Sequence, residues 1–203
     1  VAALDAGLDV LLEKPMAPTV EACDALIAAA RRRDRVLTIG HEFRLSGQWG
    51  AMKRIIDAGE IGRPRYGNVS LFRFPYRPGS SAWRYDPRRV GSWILEEPVH
   101  FFDSLLWYFE AEGDPVSVHA AGNSRLDAPG MYYNFSTVLR WPGDLYATVT
   151  QTLSGFEHHH VMEITGTEGS MRTWWSGAMD RTRAPKFELK LQRRGATQCE
   201  IVD

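Results

Sequence analysis

His100 is the residue whose neighbours most directly suggest chemistry. It lies three residues before Asp103 and four after Glu96, so the three side chains would share one face of a helix. If the helix instead begins at Pro98, Glu96 lies just outside it and Glu97 occupies the cap. In both cases carboxylates gather around one imidazole, fixing its tautomer and raising its basicity, which suits a general base. A histidine at a helix start that only hydrogen-bonds to a neighbouring carboxylate fits the spacing equally well.

The tripeptide Glu13-Lys14-Pro15 is the second candidate. Its Glu13 is the last residue of segment 9–13, whose central apolar residues predict a short buried strand. Open α/β sheets bind ligands at the carboxyl ends of their parallel strands. A lysine there offers a fixed cation with three donors, and a partly dry cleft lowers its pKa enough for proton transfer. A surface lysine beside a structural proline is the simpler interpretation of the tripeptide alone.

A third candidate is the aromatic and basic segment 83–87, Trp-Arg-Tyr-Asp-Pro. A loop of this composition can cover a ligand or pair with a phosphate. A packed tryptophan beside a solvated arginine is the simpler interpretation.

The run His158-His159-His160 is the fourth candidate. On a strand, His158 and His160 would share one face and His159 would lie on the other. Three consecutive histidines on a regular strand cannot all reach one metal ion, so we expect no metal site here. The run is interpreted as a polar pocket wall or as surface.

Two kinds of element must position these residues. The first forty residues predict a strand, a helix over Val20–Arg33 capped by Thr19, and a second strand over Arg35–Gly40. This βαβ order implies parallel strands and a right-handed crossover.

After a boundary near Gly40 to Arg44, strands dominate. A short helix over Gly50–Ala58 precedes them, and a longer helix over Pro98–Phe109 interrupts them. Its predicted buried stripe is Val99, Phe102, Leu105, Leu106 and Phe109. Seven runs alternate with period two, and Trp141-Pro-Gly-Asp144 joins two of them as a tight hairpin. The runs are Tyr66–Phe74, Pro115–Ala121, Asn134–Trp141, Asp144–Leu153, His160–Gly166, Ser170–Trp175 and Lys186–Arg193. We expect two domains, 1–42 and 43–203, the second an α+β sheet domain.

Composition narrows the class of protein. The 203 residues are 44% hydrophobic and 24% charged with a net charge of −1. This is globular composition without the basic footprint of a nucleic-acid-binding protein, and no apolar run predicts a membrane span. Two distant cysteines, Cys23 and Cys199, indicate reduced thiols and a cytoplasmic location. The chain opens at Val1 inside an amphipathic pattern without a cap, so we expect a fragment that lacks its N-terminal part.

Several motifs, in order along nearly the whole chain, resemble the glucose–fructose oxidoreductase/inositol dehydrogenase/MocA family. They are Glu13-Lys14-Pro15, Ile55–Gly62, Trp83-Arg84, the Gly91…His100…Asp103 segment and Gly166-Thr-Glu-Gly-Ser170. The resemblance implies a Rossmann domain followed by an α+β domain with a large, open, mostly antiparallel sheet. It also implies hydride transfer between NAD or NADP and a hydroxyl-bearing carbon of a sugar, cyclitol or glycoside.

The same resemblance implies roles for single residues. Lys14 would orient the substrate hydroxyl, His100 would be the general base, and Glu96 stands where the family has an aspartate. Pro98 replaces a family glycine. The implied cofactor-binding residues are Glu13, Lys14, Pro15, Arg44, Trp83 and Arg84. The implied substrate-binding residues are Lys14, Glu96, His100, Asp103 and His158.

Further expectations concern the rest of the protein. The family's phosphate-binding Gly-x-Gly-x-x-Gly turn does not occur in these residues and would lie upstream of Val1, within about 80–90 further residues. Association into a homo-oligomer through the open sheet is also implied. Two alternatives stay open: a non-catalytic sugar-binding or regulatory protein of the same fold, and a metal-dependent sugar epimerase or lyase that uses His158–His160.

Overall fold

A computed structural model describes residues 1–125, 128–155, 157–177 and 184–202 of the chain. Its helices are α1 (Ala2–Asp5), α2 (Val20–Arg33), α3 (Gly47–Asp57), α4 (Pro87–Val90), α5 (Trp93–Glu96) and α6 (Pro98–Tyr108). Short 3₁₀-helical segments cover Glu42–Leu45, Ser80–Tyr85 and Glu110–Glu112, the second of them kinked at Ser81 and Ala82. The first strands are β1 (Val10–Leu12), β2 (Leu37–Ile39), β3 (Pro64–Phe72), β4 (Ser117–Arg125) and β5 (Ala128–Arg140). The remaining strands are β6 (Tyr146–Thr152), β7 (His159–Gly166), β8 (Gly169–Ser176), β9 (Lys186–Arg193) and β10 (Glu200–Ile201).

The N-terminal unit is the predicted βαβ arrangement. Strands β1 and β2 pair in parallel and α2 connects them. The Thr19 hydroxyl accepts a hydrogen bond from the Ala22 amide at 3.2 Å, so the predicted cap is confirmed. The expectation that both strands are buried is wrong, because Leu11 is 77% exposed. Helix α2 covers only one face of this two-stranded sheet and leaves the other face open.

The second unit is one large open sheet of the order β10-β9-β8-β7-β3-β6-β5-β4. Its neighbours are antiparallel except β3 and β6, which run parallel. All seven strands predicted from period-two alternation are confirmed, as is the hairpin that joins β5 to β6. The two-residue β10 was not predicted, because two residues carry no recognisable alternation.

Helices α3 and α6 enclose the main core of the molecule. Buried Met52, Phe101 and Leu105 from these helices pack with Val69 and Leu71 of β3. This packing positions the functional side chains that begin α6 against the sheet.

Both helices differ in detail from their predictions. Helix α3 begins at Gly47, three residues before the predicted start. The predicted stripe of α6 is wrong in part, since Leu106 is 40% exposed whereas Phe101 and Tyr108 are buried. The buried face includes His100 and Ser104, two polar residues that an apolar pattern cannot register.

Cys23 and Cys199 are both unpaired, as predicted. None of the helices among the described residues combines the length and the apolar character that crossing a membrane would require.

Candidate functional site

A cavity of about 650 Å³ brings together side chains from both units. It collects one lysine, three arginines, three glutamates and three histidines among aromatic rings. Its lining residues are Lys14, Glu42, Phe43, Ser46, Trp49, Arg73, Tyr76, Arg77, Arg84, Glu96, Glu97, His100, His158, His160 and Trp175. Such a density of ionisable groups in one concave space is typical of a functional site.

The structure brings five of the ten predicted site residues into this cavity: Lys14, Arg84, Glu96, His100 and His158. The other five do not belong to the lining that the described residues form. These are Glu13, Pro15, Arg44, Trp83 and Asp103.

Lys14 follows β1 and reaches the start of the long helix. Its Nζ donates a hydrogen bond to the backbone carbonyl oxygen of Glu96. Glu96 ends the one-turn helix α5, and the carbonyl groups at a helix end have no partners within the helix. The lysine therefore joins the N-terminal unit to the segment that carries His100.

The Glu96 carboxylate is held by an arginine and not by the histidine. Arg84 Nε lies 2.5 Å from Glu96 Oε1, and the guanidinium covers the Trp83 ring at 4.5 Å. Gly79 permits this arrangement, since its φ is +73° and a Cβ there would lie 2.5 Å from the Trp83 indole nitrogen.

His100 is buried, and its ring stacks on Phe43 at 4.7 Å. Its Nε2 lies 3.9 Å from Glu42 Oε1. Asp103 is instead bound by Arg44, through contacts of 2.9 and 2.7 Å. The expectation that Glu96 or Asp103 supports His100 directly is therefore wrong, because an arginine from another segment takes each carboxylate.

The electrostatics of His100 also differ from the prediction. Burial, followed by the nearby Lys14 cation, lowers the pKa of His100 to about 4. A neighbouring carboxylate was expected to raise its basicity. The ring is consequently neutral at pH 7, and its Nδ1 has no hydrogen-bond partner among the described residues.

A second group of ionisable residues, here named the Glu97 cluster, consists of Glu97, His158 and His160. Glu97 Oε1 lies 3.4 Å from His158 Nε2 and 3.0 Å from His160 Nε2, and these two nitrogens are 3.0 Å apart. The other oxygen, Glu97 Oε2, pairs with Arg73. Three potential ligand atoms thus converge on one point.

Aromatic packing fixes the rings of the Glu97 cluster. Trp175 stacks on His160 at 4.6 Å, and Phe101 meets the same ring edge-on at 4.9 Å. His159 lies on the opposite side of β7, stacked on Phe72 at 5.2 Å and on Trp174 at 4.9 Å. The predicted alternation of faces is therefore confirmed.

Charge and burial compete within the Glu97 cluster. Burial raises the pKa of Glu97, but hydrogen bonds from His158 and His160 and the charge of Arg73 outweigh it and hold that pKa well below its usual range. Burial lowers the pKa of His160 despite the adjacent carboxylate. An ionised carboxylate therefore faces neutral imidazole at pH 7.

Glu97 and Arg73 were not predicted as site residues, and His160 was named only as a member of the histidine run. The only signal for His160 was its period-two relation to His158. Glu97 was assigned to a helix cap, and it is the N-cap residue of α6, although its side chain makes no capping bond. Its partners are Arg73 just after β3, His158 just before β7 and His160 on β7, and local spacing cannot reveal these contacts.

Comparison with known families gives two matches that together cover most of the chain. Residues 1–41 match the oxidoreductase family with an NAD-binding Rossmann fold, and residues 49–172 match the GFO/IDH/MocA C-terminal domain. The βαβ unit and the large open sheet correspond to these two parts.

Relatives and solved structures agree with these matches. A 1-carboxy-3-chloro-3,4-dihydroxycyclohexa-1,5-diene dehydrogenase from Comamonas testosteroni is 31% identical, over 81% of this chain and 40% of its own length. A 1,5-anhydro-D-fructose reductase from Ensifer adhaerens is 32% identical, over 84% of this chain and 51% of its own. The chain thus spans about half the length of the curated relatives it matches.

The fold is also found among solved structures. An aldose-aldose oxidoreductase from Caulobacter crescentus, crystallised with glycerol, superposes with a TM-score of 0.81 at 20% identity. The match covers 99% of this chain and 57% of that one.

Proposed function

This chain belongs to the GFO/IDH/MocA oxidoreductase family, and from that premise we propose that its cavity is the substrate site of an NAD(P)-dependent dehydrogenase. The substrate class is a sugar, cyclitol or glycoside whose hydroxyl-bearing carbon exchanges a hydride with nicotinamide. The observation that carries the proposal is that Lys14 and His100, from separate units, line one cavity. Its volume of about 650 Å³ is within the usual range for small-molecule sites.

The side of the cavity that follows β1 and β2 suits the nicotinamide end of the cofactor. Lys14 follows β1 and Glu42 follows β2, so the carboxyl ends of two parallel strands open onto the cavity. Dinucleotides bind at this edge of open α/β sheets. When bound, the nicotinamide supplies the acceptor or donor of the hydride. We also propose that Glu13, Pro15, Arg44 and Trp83 flank the bound cofactor.

Lys14 would orient the reacting hydroxyl. An ammonium group has three donors, and Lys14 uses one of them on the Glu96 carbonyl oxygen. The remaining donors can bind a substrate oxygen. The positive charge also lowers the pKa of a bound hydroxyl, because it stabilises the developing alkoxide.

His100 would accept the proton that the hydroxyl loses. At pH 7 its ring is neutral, which is the protonation state that a proton acceptor requires. The same lysine that lowers the pKa of His100 would also lower the pKa of the bound hydroxyl, so the two shifts run in the same direction. Glu96 positions Lys14 through its carbonyl oxygen and Arg84 through its carboxylate.

The test is to replace Lys14 with Met in the full-length gene product. Oxidation of aldoses and cyclitols would be followed by nicotinamide absorbance with both NAD and NADP. We expect kcat to fall about 1000-fold, within the range for loss of a group that assists proton transfer. Lys186→Met is the matched control, since that side chain is 56% exposed on β9.

An unchanged kcat in Lys14→Met would overturn the assignment of Lys14. Binding of nicotinamide and sugar without any absorbance change, across the whole panel, would favour the non-catalytic sugar-binding alternative instead.

We also propose a cytoplasmic, homo-oligomeric protein that associates through the large sheet. Exposed apolar side chains on several strands support self-association, among them Val118, Tyr146 and Phe187. Light scattering that gives the mass of a single chain would contradict this.

A further inference from the structure

The Glu97 cluster has no part in the proposed hydride transfer, yet it is the most tightly convergent group of ligand atoms in the described residues. We infer that Glu97, His158 and His160 bind one divalent transition-metal ion on the wall of the cavity. This inference is independent of the proposed function, because binding of an ion can be measured without cofactor or sugar.

The separations between the ligand atoms match those around a bound ion. Nε2 of His158, Nε2 of His160 and Oε1 of Glu97 are 3.0 to 3.4 Å from one another. An ion held at about 2.1 Å by imidazole and carboxylate keeps neighbouring ligand atoms about 3.0–3.4 Å apart. The triangle is thus already the size that coordination requires.

Hydrogen bonding alone explains the triangle less well. With a proton on each Nε2, both imidazoles would donate to the same oxygen, Glu97 Oε1, while their own Nε2 atoms lie 3.0 Å apart. The two N–H groups would then crowd each other in a buried place. A cation between the three lone pairs removes that conflict.

The donor set selects the class of ion. Two imidazole nitrogens and one carboxylate oxygen suit zinc, iron(II) or cobalt(II), whereas calcium and magnesium prefer oxygen donors alone. Arg73 binds the second oxygen of Glu97 and so orients the carboxylate with Oε1 towards the histidines. Such an outer partner is a common support for a metal ligand.

The position of the cluster indicates what the ion would do. All three residues line the cavity, so coordination positions that the protein does not fill face the substrate space. A site with three protein ligands keeps at least one position for water or substrate. A hydroxyl, carbonyl or carboxylate oxygen of the substrate would bind there.

Calorimetric titration of the untagged, chelator-treated chain with Zn²⁺ alone tests the inference. We expect one equivalent to bind. His158→Gln and His160→Gln should each weaken binding by at least about 100-fold, more than the loss of an outer partner typically costs. His159→Gln is the matched control, because its ring lies on the other side of β7.

Cobalt(II) provides a second readout through its visible absorption bands, whose intensity reports the coordination number. Circular dichroism of each variant establishes that the fold is kept. If one histidine variant unfolds, the zinc affinity of the other histidine variant is the deciding measurement. Equal zinc affinity in wild type and a folded His160→Gln variant would overturn the inference, as would the absence of stoichiometric binding by the wild type. Hydride transfer that persists without metal would leave the proposed function intact, so the two failures are distinguishable.

Discussion

His100 and His160 line the same cavity but differ in the charged group that acts most strongly on their pKa, Lys14 for His100 and Glu97 for His160. His100 stacks on Phe43 next to the Lys14 cation, whereas His160 stacks on Trp175 with Glu97 Oε1 at 3.0 Å. Burial lowers the pKa of both rings. The neighbouring charged group distinguishes their roles. Beside the Lys14 cation, His100 is a neutral proton acceptor, whereas beside the Glu97 carboxylate, His160 belongs to the proposed set of metal ligands.

The largest expected effect of the difference between the surroundings of His100 and His160 is on turnover. We expect His100→Asn to lower kcat about 1000-fold, because it removes the proposed proton acceptor. The acid limb of the pH–rate profile, governed in the wild type by a pKa of about 4, should disappear as well. His159→Gln should keep wild-type kcat. An unaltered profile in His100→Asn would remove that residue from the role.

The next effect concerns stability at the Glu97 cluster. Arg73 and Glu97 form a pair in which both side chains are less than 15% exposed. Arg73→Gln leaves the carboxylate without its cation, and we expect the free energy of unfolding to fall by about 3 kcal/mol. Arg63 pairs with Glu112 but is 60% exposed, so Arg63→Gln should cost less than about 1 kcal/mol.

Urea unfolding in the presence of chelator measures both variants without a contribution from bound metal. Equal losses of unfolding free energy in Arg73→Gln and Arg63→Gln would show that burial does not make the Arg73–Glu97 pair contribute more than the exposed pair.

The smallest effect is a pH dependence of stability that His100 contributes. The ionisable groups around it are Lys14, Glu42, Glu97, His41 and Asp103. The unfolded chain protonates this residue near 6.5, and the folded chain near 4. Between pH 7 and pH 5 the unfolded state therefore gains a proton that the folded state does not. Stability falls as the pH falls, by about 2 kcal/mol from this residue.

Denaturant titrations of wild type and His100→Asn at pH 7 and pH 5 isolate that contribution. The wild type should lose about 2 kcal/mol more than the variant over this interval. Parallel losses would mean that the folded and unfolded pKa values of His100 are alike.

The comparison also shows what sequence could and could not predict. Elements whose signal is local, such as the Thr19-capped helix and the seven alternating strands, were all found. The spacing of His100 and Asp103 was equally local, yet Arg44 takes the carboxylate from a different segment. The Glu97 cluster depends on how β7 is placed beside the start of α6, and no spacing within either segment contains that information. The domain boundary near residue 42 stays a prediction.

The parallel pairing of β3 with β6 has a consequence for how the chain is made. On the ribosome, β3 emerges before α6 and before both of its sheet neighbours, β6 and β7. At about 5–20 residues per second, synthesis of the intervening crossover takes seconds. During that time Val69 and Leu71, which end fully buried, lie on a strand with two unpaired edges. The central strand is therefore exposed and unpaired for seconds in the nascent chain, and the cavity, whose lining includes His158, His160 and Trp175, is among the last parts of the fold to form.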